Sequence, residues 1–305
     1  MAFETNSTCQ RAAALGFRLA VDCLAATRLL ATLPLMPAHF TMYSGWSEYR
    51  LADVFVHGTS NIDSFRDKYP GSIAFQYAEE ARECCSDWDL LARIVRERGG
   101  EQPAASTLVI QVRAGDVIDN DEHSVLELLT FQMAYSTYCS SAFPRRPTQW
   151  WEWASGTARP THAGWCEYVR PLGYYRDVLR SVPKAVERVE LVSGSHWPLS
   201  DDGANHVFDA NANTGLLRSY EKSWRYLQTL RSAFAELGYP TTMRLGRTPD
   251  EDIAYVSRAR FFLPSGGGFS RLLTKLVHLN GGQIVCPTQT FMEFEGDDGE
   301  IECAS

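Results

Sequence analysis

From Thr107 onward, short apolar runs alternate with longer amphipathic ones, and this alternation restricts the fold more than any other feature of the chain. Thr107 to Val112 has the β-branched pattern of a strand, Leu172 to Val182 reads as a helix and Val189 to Ser193 as a strand. Ser223 to Leu237 is a helix pattern with Trp224, Leu227, Leu230, Phe234 and Leu237 on one face. Strand Thr241 to Leu245 follows, then Thr248-Pro249-Asp250-Glu251, a capping box with proline at the first helical position. A strand beginning at Phe261, a further helix and strand Gln283 to Pro287 close the series. Such α/β alternation predicts a doubly wound parallel sheet with ligands at the carboxyl ends of its strands.

One of those ends is unusual. Pro264-Ser265-Gly266-Gly267-Gly268-Phe269-Ser270 joins an apolar strand to a helix expected to start near Ser270. Three glycines leave backbone amides unshielded, and the helix start adds N–H groups and partial positive charge, which together suit an anion. The turn lacks the Gly-Lys-Ser of a Walker loop and the spacing of a GxGxxG fingerprint. A second strand end carries Arg113, followed by Ala114-Gly115-Asp116. An arginine there suits a planar anion, with a salt bridge to Asp116 as the structural alternative.

The rest of the chain sets bounds. A net charge of −8 over 305 residues argues against a nucleic-acid or anionic-membrane binder, while leaving room for one basic pocket. The apolar run Ala12 to Leu35 contains Arg18, Asp22 and Arg28, so it reads as a buried helix over Gln10 to Leu33 rather than a membrane span, and no signal-peptide pattern precedes it. Eight cysteines lack CxxC spacing and read as buried thiols, which leaves cytoplasm and secretory lumen both open. Ala78 to Arg98 reads as one helix, and Gly99-Gly100 with Pro103 as a linker. The expected division is therefore an acceptor-side α/β domain over 1–102, a nucleotide-binding Rossmann-like domain over 103–290 and an acidic tail over 291–305. A tryptophan-rich segment, 144–165, reads as a surface insertion.

Gln111-Val112-Arg113-Ala114-Gly115-Asp116 resembles the H-x-R-x-G/T-D motif of the fucosyltransferase superfamily, the alpha-1,2-, alpha-1,6- and protein O-fucosyltransferase-like enzymes. The strand and glycine turn at Phe261 to Ser270 look like that group's late serine-rich strand-to-helix turn, with Asp252 one helix earlier. Gly173-Tyr174-Tyr175 and the strand Val189 to Ser193 add to the likeness, which covers Thr107 to Pro287. The resemblance implies a GT-B-like fold of two Rossmann-like domains and inverting transfer of fucose from GDP-fucose to a glycan or protein hydroxyl, with no metal and no further cofactor. It also implies that Gln111, Arg113, Asp252, Ser265, Gly266, Gly267, Gly268, Phe269 and Ser270 bind the donor. Arg113 would grip the diphosphate and Asp252 would help seat the guanine. This chain departs from the group in having Gln111 for the motif histidine and glycines for the turn serines.

A proton acceptor for the hydroxyl is sought among Asp116, Asp121 and Glu122, with Glu122 favoured and Asp116 assigned to orienting Arg113. Asp119 and His123 are further candidates, with Asp53 and His57 of the first domain next. Two rival readings stand beside this one. Asp119-Asn120-Asp121 is formally a DxD that could hold Mn²⁺ in a metal-dependent glycosyltransferase. The lost histidine and serines would also fit an inactive carbohydrate-binding relative.

Overall fold

The computed structural model describes residues 17–33, 70–83, 88–119, 124–130, 169–193, 195–196, 221–265, 267–285 and 303–304. The helices are α1 (Phe17–Ala31), α2 (Ile73–Glu83), α3 (Trp88–Glu97), α4 (Asp116–Asp119), α5 (Val125–Thr130), α6 (Leu172–Ser181), α7 (Glu221–Glu236), α8 (Pro249–Val256) and α9 (Gly267–Leu279). The strands are β1 (Thr107–Gln111), β2 (Ala114–Gly115), β3 (Arg188–Ser193), β4 (Ser195–His196), β5 (Thr241–Leu245), β6 (Phe261–Leu263), β7 (Gln283–Val285) and β8 (Cys303–Ala304).

Six strands form one parallel sheet in the order β5-β3-β1-β6-β7-β8. The chain winds outward from β1 through β3 to β5, then returns to the far side of β1 and winds the other way. In strand sequence this is the 3-2-1-4-5-6 order of doubly wound dinucleotide folds, and the reversal falls between β1 and β6. A separate two-stranded parallel pair, β2 with β4, continues past the ends of β1 and β3.

Central strands buried on both faces need apolar side chains at every position, and β1 has Leu108, Val109 and Ile110 fully buried. Alternate residues feed opposite cores. Leu108, Ile110, Leu191, Phe261 and Leu263 pack with α1, α5, α6 and α7, whereas Val109, Val192, Phe262 and Ile284 pack with α2, α3, α8 and α9. Each such side chain contributes roughly 1.5–3 kcal/mol by leaving water. Helices from before the expected boundary at 102/103 belong to these same cores: Leu29 of α1 joins the first, and Ile73, Leu91 and Ile94 of α2 and α3 join the second. Buried Asp250 of α8 fastens that junction, accepting from the Ile73 amide at 2.7 Å and pairing with Arg98 at 3.1 Å.

Several expectations are corrected. The span 78–98 is two helices, α2 beginning at Ile73 and α3 at Trp88. Leu237 lies past the end of α7, where the amide of Tyr239 bonds back to Phe234 O, and is 45% exposed rather than on the buried face. The helix after the glycine turn starts at Gly267, not near Ser270. Within the expected tail, Cys303–Ala304 pairs with β7. The Thr248 capping box with Pro249 in the first turn is present as the sequence predicts. The insertion 144–165 lies outside the described residues. No described helix is long and apolar enough to cross a membrane.

Candidate functional site

β1 delivers Gln111, buried, to the carboxyl edge of the sheet at the reversal. Beyond it the backbone stays fastened to the neighbouring strand: the Val112 amide donates to Val192 O at 2.9 Å, and Ser193 Oγ donates to Val112 O at 2.6 Å. Arg113, half-buried, thus leaves the sheet from a fixed point. The chain then turns through Gly115 at φ +82, a left-handed conformation that favours glycine. The Gly115 amide donates to Ser223 Oγ at 2.9 Å. That hydroxyl in turn donates to Asp119, whose carboxylate also accepts from the amides of Lys222 and Ser223 at 3.0 and 3.4 Å. Asp119 therefore caps the start of α7 from another segment, supplying acceptors that the helix cannot provide for its own first amides. Burial pushes its carboxyl up to about 6, against the lowering effect of these hydrogen bonds.

β6 delivers the second half. Ser265 Oγ donates to Gln111 Oε1 at 2.8 Å, and the Ser265 amide donates to Ser270 Oγ at 3.0 Å. Thr274 Oγ1 donates to Ser270 O at 2.8 Å. The serines therefore hold the turn closed on itself and on β1. Because α9 starts at Gly267, the amides of Gly267, Gly268 and Phe269 belong to the first turn, where no intrahelical acceptor exists. They lie at the end of β6, the strand beside β1, which leads into Arg113.

A third segment reaches the turn without any sequence signature that predicts it. Arg170, just ahead of α6, donates Nε to Ser265 O at 3.0 Å, while its own carbonyl accepts from the Tyr226 hydroxyl. Its guanidinium lies 5.4 Å from the centre of the Tyr174 ring. Tyr175 is fully buried and meets Phe234 edge-on, so the tyrosine pair splits into a core residue and a platform.

The remaining predicted residues are placed as follows. Asp252 sits buried in the first turn of α8, its Oδ1 3.4 Å from Arg244 Nε on β5, and β5 is two strands from β1. Burial pushes this carboxyl up to about 7, the nearby guanidinium opposing the shift. Arg244 is held further by Glu101 at 2.9 Å and by the Tyr255 ring at 4.2 Å. Asp252 is thus the buried partner of Arg244. Asp116 is the first residue of α4, directly after the Gly115 turn. Asp121, Glu122, His123, Gly266, Asp53 and His57 lie outside the described residues. Comparison of the chain with protein-family models, with curated proteins and with solved structures gives no match.

Proposed function

We propose that the protein is a metal-independent glycosyltransferase that moves fucose from GDP-fucose, with inversion, to a glycan or protein hydroxyl. One observation carries the reading: two segments that resemble donor-binding motifs, separated by 154 positions, meet through the Gln111–Ser265 hydrogen bond. They meet at the strand-order reversal, where open α/β sheets bind ligands. Arg113 supplies charge to the diphosphate, and the amides of Gly267, Gly268 and Phe269 supply donors. As the acceptor oxygen bonds to the anomeric carbon, the bond from that carbon to the diphosphate oxygen breaks. Stabilising the departing diphosphate is then the main task of the site. The acceptor proton passes to a carboxylate, with Asp121 and Glu122 as the candidates and Asp116 as the competing one, or to the departing diphosphate itself.

A metal-dependent DxD reading would need Asp119 as a ligand, and this carboxylate is engaged by Ser223 and Lys222 at the start of α7. An inactive carbohydrate binder would have no use for the nucleotide. Thermal melts with GDP, UDP and ADP in EDTA separate these readings. GDP at 100 times its dissociation constant should add about 2.7 kcal/mol. No shift with any nucleotide would remove the donor-site reading, and a shift only with added Mn²⁺ would transfer it to the DxD.

A further inference from the structure

We propose that Glu101, Arg244 and Asp252 form a pH-sensitive clasp, in which ionisation of buried Asp252 loosens the hold of exposed Glu101 on Arg244. The clasp ties the segment between α3 and β1 to the β5–α8 unit, at the side of a cavity of about 370 Å³ lined in part by Arg98, Gly100, Glu101, Arg244, Arg247 and Tyr255. One guanidinium serves two carboxylates here, and it serves them unequally. Arg244 Nη1 donates to Glu101 Oε2 at 2.9 Å, whereas Nε lies 3.4 Å from Asp252 Oδ1, and neither Nε nor Oδ1 has a hydrogen-bond partner among the described residues. Exposure runs the other way: the side chain of Glu101 is 72% exposed, that of Arg244 12% and that of Asp252 6%. The outer carboxylate thus holds the arginine by a directed bond, and the inner one holds it by charge.

The other charged groups around Asp252 have partners of their own. On α8, Glu251 accepts from the Thr248 amide at 2.8 Å and lies 4.0 Å from Arg247, Asp250 pairs with Arg98 just past α3, and the Tyr255 hydroxyl donates to Glu190 of β3. The Tyr255 ring also lies 4.2 Å from the Arg244 guanidinium. Burial raises the Asp252 carboxyl to about 7 against the pull of Arg244, with Glu251 and Arg247 acting in opposite senses, so its proton leaves in the neutral range. The sign of the effect on Glu101 follows from charge. With Asp252 neutral, Arg244 relies on Glu101 for counter-charge. With Asp252 ionised, two carboxylates share one guanidinium and repel each other, so the contribution of Glu101 shrinks. Rising pH therefore slackens the tie at the side of the cavity.

The test is urea unfolding of wild type, E101Q, D252N and the double variant at pH 5.5 and 8.5, with the Asp252 carboxyl followed by carbon-13 NMR in wild type and E101Q. E101Q should lower the folding equilibrium constant by a factor roughly 2 to 5 times larger at pH 5.5 than at pH 8.5, the range of an exposed ion pair. By linkage the Asp252 midpoint in E101Q should fall by the logarithm of that ratio, roughly 0.3 to 0.7 in pH. In the D252N background, which has no proton to exchange at this position, E101Q should cost the same at both pH values. An E101Q loss that is independent of pH, or a pH-dependent loss that persists in D252N, would make Glu101 an ordinary surface partner and overturn the proposal. If D252N does not fold, the Asp252 midpoint decides alone: a fall in E101Q supports the clasp, and an unchanged or raised midpoint overturns it. None of these outcomes depends on the donor-site reading.

Discussion

Removing the Asp119 carboxylate tests the framework under the Arg113 turn. In D119A, the amides of Lys222 and Ser223 lose their acceptor and the Ser223 hydroxyl loses the group it donates to. Loss of a helix cap costs about 0.5–2 kcal/mol, and a buried donor left unsatisfied costs about 1–3 kcal/mol. Replacing a carboxylate held at about 6 also relieves part of its desolvation. D119A should therefore lose roughly 1–3 kcal/mol at pH 7.5, within the range of those two effects. D119N retains an acceptor oxygen for the amides and should lose less. The pH dependence has a definite sign. Because the folded carboxyl titrates above its ordinary value of 3.8, the folded state holds the proton more tightly, and Asp119's contribution is full below pH 4 and lost as pH rises through 6. Wild type should thus lose roughly 2–3 kcal/mol relative to D119N between pH 4 and pH 7, the lower figure allowing for partial exposure. Urea unfolding of the three proteins at pH 4.5, 6 and 7.5 measures both effects. A D119A variant within 0.5 kcal/mol of wild type would refute the capping argument, and parallel pH profiles for wild type and D119N would refute the desolvation of the carboxyl.

Three further outcomes are expected. R113K should fold normally yet lose the GDP-induced rise in Tm, because an ammonium cannot reproduce the bidentate fork; an unchanged rise would make Arg113 structural. D252N should flatten the stability profile between pH 4 and 7, since burial raises Asp252 from 3.8 to about 7 and its contribution is likewise lost as pH rises; an unaltered profile by urea unfolding would contradict this. G282A should destabilise by about 3 kcal/mol or more, because a Cβ there would lie 2.3 Å from Ala259 O and 2.5 Å from Val277 Cγ1; calorimetric Tm within 2 °C of wild type would refute the packing at that turn.

The sheet was legible wherever local chemistry decides structure. Thr107 to Gln111 and Thr241 to Leu245 are β-branched runs between turn signals, and Thr248 to Glu251 carries its own cap, so elements and approximate ends follow from short windows. Strand order is another matter. Nothing within β1 or β6 says that they are neighbours, because the reversal depends on which face each crossover covers. The early start of α9 escaped because glycines read as turn, yet first-turn residues need helical dihedrals without an internal acceptor, and Ser270 anchors the approach by accepting from the Ser265 amide. Arg170 and the Asp119 cap were illegible for one physical reason: each acts on a backbone group far along the chain, and a partner chosen by tertiary packing leaves no periodicity.

The predicted donor-binding residues divide by what their hydrogen-bonding groups already do. Ser265 has one hydroxyl proton, which goes to Gln111, and one amide proton, which goes to Ser270. Neither is left for a phosphate oxygen. Gln111 is fixed by that same bond, and because an amide does not titrate, the link between β1 and the turn holds across the range in which the histidine of the resembling motif would change charge. These residues fix where the turn lies. Electrostatic stabilisation of a departing diphosphate depends on donors held in place before the reaction, so the positioning and binding roles must fall to different groups. Under the proposed donor-site reading, the amides of Gly267, Gly268 and Phe269 and the guanidinium of Arg113 are the groups assigned to the diphosphate. On that reading, replacing Ser265 would affect a bound anion by shifting the turn, whereas replacing Arg113 would remove a direct partner.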